Sequence, residues 1–111
     1  MATSETIVEI TDANFADEVE KGEGLTMIDF WAVWCAPCRL VAPIVEGLAD
    51  EYHDKGLRVG KLDVDSNPKT TTRFRVMSIP SILFFKDGEL VDTVVGAVPK
   101  AHLEEKIKQH M

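Results

Sequence analysis

Long apolar runs are missing from this sequence, in which no stretch approaches the roughly 18 residues that a membrane-spanning helix requires. The charged and apolar leader of a signal peptide is not visible at its start. Positive charge is scarce, because 12 Lys and Arg stand against 19 Asp and Glu and give a net charge of −7. With no basic patch or basic helix, we expect a protein that binds neither membranes nor nucleic acid. Because no signal peptide is visible, we expect it in the cytoplasm.

Cysteine is equally scarce, and two cysteines cannot form the disulfide framework of a small secreted domain. The chain has no linker, low-complexity stretch or internal repeat, and Pro and Gly occur singly. A chain of 111 residues, 45% of them apolar, is long enough to enclose one hydrophobic core. We therefore expect a single domain over residues 1–111.

The sequence does contain a regular alternation of strand and helix patterns. Residues 25–30 are apolar on both faces, which is typical of a central strand covered by helices, and residues 41–52 carry apolar side chains at helical spacing. The early strands alternate with helices and should be parallel, whereas Asp87 and Gly88 predict an antiparallel hairpin. The order β-α-β-α-β-α-β-β-α indicates an α/β protein with a central mixed five-stranded sheet flanked by four helices.

Three of the predicted helices have recognisable first residues. Thr11 or Asp12 is expected to cap the first helix. Asn67 and Pro68 read as the cap and the first-turn proline of the third helix. Pro99 is expected to open the last helix.

The two cysteines, Cys35 and Cys38, directly follow the second strand and open the long second helix. Their spacing puts both side chains on one side of a helical turn, within reach of disulfide geometry. A helix N-terminus presents unpaired N–H groups and a positive dipole end, which stabilise a thiolate. We expect Cys35 to be exposed at the extreme end and Cys38 to be sheltered. Cys35 would then attack a disulfide, and Cys38 would resolve the mixed disulfide.

Two other interpretations of the pair stay open, an inert structural disulfide and half of a zinc site. A disulfide that closes so short a loop would stabilise the fold little through chain entropy. Structural zinc usually has four protein ligands, and His53, His102 and His110 are not at ligand spacing from the pair. Position alone therefore favours redox chemistry, with no metal.

Residues 30–39, Phe-Trp-Ala-Val-Trp-Cys-Ala-Pro-Cys-Arg, resemble the active-site segment of the thioredoxin family. The resemblance covers residues 5–110, with further matching segments in the right order: Pro43, residues 63–68, residues 79–81, residues 85–88, and Gly96 with Ala97. Ala36 departs from the family's usual glycine between the first cysteine and proline, which bears on the redox potential.

The resemblance implies a thioredoxin fold and a general protein-disulfide reductase that works as a monomer without a bound cofactor. Its partners would be disulfide-containing proteins and a thioredoxin reductase that supplies electrons from NADPH. Two other functions remain open on the same fold. One is a disulfide oxidase or isomerase, and the other is a binding module whose redox state is incidental.

Asp29 and Lys61 are the candidate proton-handling residues. Asp29 stands in an apolar strand, where burial would raise its pKa, although a strand-end acid that reaches water is an equally open interpretation of the pattern. The resemblance makes Asp29 the buried acid that takes and returns the proton of Cys38. For Lys61 the pattern alone favours a solvated lysine, whereas the resemblance places it close to Asp29, where it modulates proton affinity.

The resemblance also implies an apolar substrate-binding surface around the cysteines. It includes a cis peptide bond before Pro80, in a loop whose backbone pairs with an extended substrate segment. Trp34 could be a core residue but is expected to line this surface, and Trp31 is expected to pack in the interior. The residues assigned to the surface are Trp34, Ala36, Pro37, Val76, Ile79, Pro80, Gly96 and Ala97.

Overall fold

Within residues 6–111, which the computed structural model describes, five strands and four helices follow one another in the predicted order. The elements are β1 (Ile7–Glu9), a π-helical turn (Ala16–Glu20), β2 (Leu25–Trp31), α1 (Ala36–Tyr52), which a 3-10 turn (His53–Lys55) extends, β3 (Arg58–Asp63), α2 (Pro68–Arg73), β4 (Ser81–Lys86), β5 (Glu89–Val95) and α3 (Lys100–His110). None of the helices in residues 6–111 has the length and apolar character needed to cross a bilayer.

The strands form one sheet in the order β1-β3-β2-β4-β5. β3 pairs in parallel with β1 and with β2, whereas β4 is antiparallel to both β2 and β5. The predicted mixed sheet is therefore confirmed. β2 lies in the middle, and Asp29 stands opposite Lys61 of β3 on one side and Ile82 of β4 on the other.

Each face of the sheet carries its own hydrophobic cluster, because successive side chains of a strand point to opposite faces. The first cluster joins the sheet to α1 and α3 through residues including Met27, Val41, Val45, Leu48, Phe84, Leu103 and Ile107. The second joins it to the π-helical turn and the segment after α2 through residues including Phe15, Val19, Ile28, Phe30, Leu62, Phe85 and the partly buried Phe74. This double coverage explains why β2 is apolar on both faces.

The predicted hairpin turn between β4 and β5 is confirmed at Asp87 and Gly88. Both residues have positive φ, 51° and 86°. A Cβ atom at Gly88 would lie 2.3 Å from the carbonyl oxygen of Glu20. Glycine is therefore required by its backbone conformation and by its close contact with the end of the π-helical turn.

The helix caps differ in part from the expectation. Thr11 caps the first turn, since its Oγ1 accepts the N–H of Asn14 and the Asn14 side chain accepts the N–H of Thr11 in return. Asp12 instead caps α2, where its carboxylate accepts the N–H of Thr70 over 2.8 Å. Asn67 occupies the N-cap position of α2, but its side chain accepts the N–H of Asp12. The prediction that Asn67 and Pro68 are the cap residue and the first-turn proline is confirmed by their positions, but the side chain that caps α2 is that of Asp12.

Candidate active site

The cysteine pair lies at the junction between β2 and α1. Cys35 is the N-cap residue of α1 and has extended backbone angles, φ −89° and ψ 106°. Its sulfur accepts a hydrogen bond from the main-chain N–H of Cys38 over 3.2 Å. The two sulfurs are joined in a disulfide, with the two Cα atoms 5.3 Å apart. The prediction that the pair can form a disulfide is confirmed.

Burial does not distinguish the two cysteines in this disulfide form. Cys35 is 3% exposed and Cys38 is 2% exposed, so the expectation of an exposed Cys35 is wrong. The physical reason is packing, because Ala32 and the side chain of Ile79 lie against the disulfide. The asymmetry between the sulfurs is electrostatic. Only the Cys35 sulfur is at the N-cap, where it accepts the Cys38 N–H at the positive end of the α1 dipole.

The loop that precedes β4 also lies against the disulfide. The Ile79–Pro80 peptide bond is cis, as the resemblance implies. The carbonyl oxygen of Ile79 is 3.8 Å from the sulfur of Cys35. The carbonyl oxygen of the buried Pro80 accepts the N–H of Gly96 over 2.8 Å, which ties the end of β5 to this loop.

The residues predicted to form an apolar surface around the disulfide differ in their exposure, and Ile79 among them packs against the cysteine pair. Of these residues, Trp34, Ala36, Pro37 and Ala97 are exposed, Val76, Ile79 and Gly96 are half-buried, and Pro80 is buried. Val76 differs from the others in its packing. It packs against the cluster that contains Ile28 and lines a cleft with Met77 and Val95.

Sequence reasoning misses two residues of this region. Asp65 accepts a hydrogen bond from the indole Nε1 of Trp34 over 2.9 Å. The sequence does contain a signal for this contact. Trp34 follows β2 and Asp65 follows β3, and the carboxyl ends of these two parallel neighbouring strands lie at the same edge of the sheet. Met77 is 91% exposed on the loop before Ile79, and no pattern in the sequence marks it.

Asp29 is a fully buried carboxyl group in the central strand. Its exposure is 0%, and neither of its oxygens has a hydrogen-bond partner among residues 6–111. Burial raises the pKa of Asp29 to about 7, and the positive charge of Lys61 counteracts part of that rise. The expectation of a buried carboxyl with a raised pKa is confirmed. The alternative interpretation, an acid at a strand end that reaches water, is wrong. Asp29 shares the Met27 side of β2, which α1 covers.

Lys61 is 7% exposed, so the solvated lysine that the pattern alone favours is wrong. It stands opposite Asp29 on the neighbouring strand. Its Nζ lies 4.8 Å from the centroid of the Trp31 ring, a cation–π contact. Trp31, expected to serve in packing, does pack against the cysteine cluster and is also in contact with a charge.

The arrangement is suited to disulfide exchange. It combines a disulfide pair at a helix N-terminus, the apolar side chain of Ile79 packed against that pair, and a buried acid that can hold a proton near neutral pH. Within residues 6–111, no three His, Cys, Asp or Glu side chains are grouped as ligands for a metal ion.

Comparisons with known proteins agree with this chemistry. A family model described as Thioredoxin matches residues 6–109. A protein named thioredoxin from Staphylococcus saprophyticus is 50% identical over 105 residues, which span 95% of this chain and 98% of that relative. Proteins of the same name from Staphylococcus haemolyticus and Staphylococcus aureus are each 49% identical over the same length and the same shares of both chains.

Proposed function

Since the chain belongs to the thioredoxin family and is a protein-disulfide reductase, we propose that Cys35 is its attacking thiol and Cys38 its resolving thiol. One observation carries the assignment. The sulfur of Cys35 stands at the N-cap of α1 and accepts the Cys38 N–H. A helix N-terminus stabilises negative charge, and the thiolate is the nucleophile in disulfide exchange.

In the first step, the Cys35 thiolate attacks one sulfur of a substrate disulfide. A bond forms between Cys35 and that sulfur, the substrate S–S bond breaks, and the departing substrate thiolate takes up a proton. The apolar surface around Trp34, Ile79 and Ala97 binds the substrate segment next to the disulfide. The backbone before Pro80 holds that segment in an extended conformation.

In the second step, Cys38 gives its proton to the Asp29 carboxylate, through water, and becomes a thiolate. It attacks the sulfur of Cys35, the mixed disulfide breaks, and the second substrate thiolate leaves and is protonated. Two electrons have then passed to the substrate, and the protein holds the Cys35–Cys38 disulfide. A base with a pKa near 7 is matched to proton transfer at neutral pH. Lys61 modulates the proton affinity of that base.

The cycle closes when a thioredoxin reductase returns two electrons from NADPH to the disulfide. We propose this reductase and disulfide-containing proteins as the partners, with no cofactor or metal held by the chain itself. We also propose that residues 1–111 act as one domain, as a monomer, in the cytoplasm.

The test is reduction of insulin disulfides by the purified protein with NADPH and a bacterial thioredoxin reductase. Turnover should be catalytic and should require Cys35 and Cys38. A reduction potential well above that of the reducing cytosol would instead indicate an oxidase or isomerase. Partner binding that is unchanged in a Cys35→Ser, Cys38→Ser double variant, without any turnover by the parent, would indicate a binding module.

A further inference from the structure

We propose that Trp31 is a positioning residue for proton transfer at Asp29, and that it acts by holding the ammonium group of Lys61 on its ring and off the carboxylate. The inference rests on the proposed function, in which Asp29 is the proton acceptor. It concerns how the charge beside that acceptor is placed.

The contact between Lys61 and Trp31 is the first observation. The ammonium nitrogen lies 4.8 Å from the ring centroid, within the range in which an aromatic face attracts a cation. Lys61 as a whole is only 7% exposed, so most of its side chain is packed inside the protein. Trp31 follows Asp29 by two positions in β2 and therefore stands on the same face of the sheet.

The absence of an ion pair is the second observation. Asp29 and Lys61 stand opposite each other on paired strands. Nevertheless, both carboxylate oxygens of Asp29 lack a hydrogen-bond partner among the residues that the structure describes. No ion pair between Asp29 and Lys61 exists within the same residues, 6–111. The ammonium is thus on the ring although an unpartnered carboxyl group is its cross-strand neighbour.

This placement has a chemical consequence, because opposite charges attract strongly when they are buried. A close ion pair would hold Asp29 ionised well below neutral pH, and such a weak base would accept the Cys38 proton poorly. With the ammonium on the ring, its charge still lowers the pKa of Asp29, but burial prevails and raises the pKa to about 7. The ring therefore limits how far Lys61 can weaken the base.

The other charged neighbours of this pair form no ion pair with Lys61 among the described residues. On β3 itself, Asp63 lies two positions beyond Lys61 and opposite Trp31, and its Oδ1 accepts the N–H of Asp65 over 3.0 Å. β4 presents the apolar Ile82 opposite Asp29, and α1 packs on that face of β2 with apolar residues such as Val41 and Val45. β1 presents Glu9 opposite Lys61. The Glu9 side chain is exposed and forms no ion pair with Lys61 within residues 6–111. Trp31 is thus the group that competes with Asp29 for the ammonium.

The test is an NMR titration of the Asp29 side-chain carboxyl carbon in the disulfide form of four proteins. These are the parent, Trp31→Leu, Lys61→Met and the double variant. We expect Trp31→Leu to lower the pKa of Asp29 by about 1, because the released ammonium then pairs with the carboxylate. In the Lys61→Met background the same replacement should leave the pKa unchanged. An unchanged or raised pKa in Trp31→Leu overturns the proposal. An equal fall of the Asp29 pKa with and without Lys61 also overturns the proposal. Such a result would mean that water enters the space left by the ring and solvates the carboxylate.

The conservative variant Trp31→Phe keeps an aromatic face and should retain most of the parent pKa. The pH at which insulin reduction reaches half of its maximal rate should move down in Trp31→Leu and stay near the parent value in Trp31→Phe. A merely structural role for Trp31 would lower the rate at every pH without moving the profile. The titration needs no substrate and tests this inference by itself. A failure of the reductase assay would refute the proposed function, whereas an unchanged Asp29 pKa in Trp31→Leu would refute the inference.

A second measurement covers the case in which Trp31→Leu does not fold. The ε-methylene protons of Lys61 in the parent should resonate upfield of a free lysine because of the ring current of Trp31. Chemical shifts equal to those of a solvent-exposed lysine at these protons would refute the contact on which the proposal depends.

Discussion

The indole Nε1 of Trp34 donates a hydrogen bond to Oδ2 of Asp65 over 2.9 Å, which joins the segment before the cysteines to the loop after β3. The ring itself is 67% exposed. A large aromatic side chain next to the disulfide is therefore presented to solvent and yet held in orientation by one polar contact. Such a fixed ring can bind a partner without the entropic cost of being ordered.

Loss of this contact should weaken substrate binding. We expect Asp65→Ala to raise the KM for insulin about two- to tenfold, the effect of the about 0.5–1.5 kcal/mol that a typical hydrogen bond contributes. The kcat should change little, since the cysteines are untouched. Asp65→Asn keeps an acceptor oxygen and is the matched control, with a KM near that of the parent. A KM that is equal in the Ala variant and the parent would show that the contact does not orient Trp34 for binding.

Replacement of each cysteine should separate the two steps of the reaction. Cys35→Ser removes the attacking sulfur, so insulin reduction should cease. Cys38→Ser leaves the attack intact but prevents resolution, so a covalent adduct between Cys35 and the substrate should accumulate. Mass spectrometry of each variant after incubation with a disulfide peptide distinguishes the results. Alkylation of the reduced parent at neutral pH should modify Cys35 first, and earlier modification of Cys38 would reverse the assignment.

Asp29→Asn should stabilise the protein at neutral and alkaline pH. The pKa of Asp29 is about 7 when folded and about 3.9 when unfolded, so the folded state binds more protons between these values. The free energy of unfolding therefore falls as pH rises from about 4 to about 7, and the penalty persists above pH 7. A neutral amide avoids this penalty, and its advantage at pH 8 should be on the order of a few kcal/mol. The variant should also reduce disulfides more slowly, because Cys38 loses its proton acceptor.

Denaturant unfolding at pH 5 and pH 8 measures this effect. The advantage of Asp29→Asn should be larger at pH 8. Asp54→Asn, at an exposed acid, is the control and should change stability little and equally at both values. If the Asp29→Asn variant is less stable than the parent at pH 8, or if its advantage shrinks as pH rises, Asp29 is a stabilising structural acid and not a base.

Ala36→Gly should shift the redox potential only slightly. Ala36 is an exposed residue at the first position of α1, where Ala and Gly differ by at most about 0.5–1 kcal/mol in backbone preference. For a two-electron couple, about 1.4 kcal/mol corresponds to 30 mV. The potential, measured by equilibration with glutathione, should therefore move by roughly 10–20 mV. A shift beyond about 40 mV would show that the methyl group acts through something other than backbone preference.

The sheet and its helices could be predicted because their signals are local and periodic. Residues 25–30 are apolar on both faces, and the structure buries them between two helical layers. The positive φ values that an Asp-Gly turn favours occur at Asp87 and Gly88. Asp12 could not be assigned in the same way. Its carboxylate caps α2 at Thr70, 58 residues along the chain, and only the parallel sheet brings the two together.

The site was predictable where chemistry depends on spacing, and less so where it depends on packing. Two cysteines three residues apart after a strand already indicate a redox pair at a helix N-terminus. The expected exposure of Cys35 is wrong in part because Ile79, from a distant loop, packs against the disulfide. The position of Lys61 over Trp31 likewise depends on neighbouring strands, and no periodic pattern reports such a contact.

β2 is hydrogen-bonded along its length on both sides, to β3 and to β4. Amide hydrogens in such a strand exchange with solvent only when the protein opens globally, whereas those of loops and edges exchange through local openings. Asp29 lies in this strand, and Cys35 lies four residues beyond its last residue, Trp31. Electrons thus enter and leave the protein beside the part of the backbone that opens last. The dithiol and disulfide forms should share the same slowest-exchanging amides, with their differences confined to side chains and to the loop before β4.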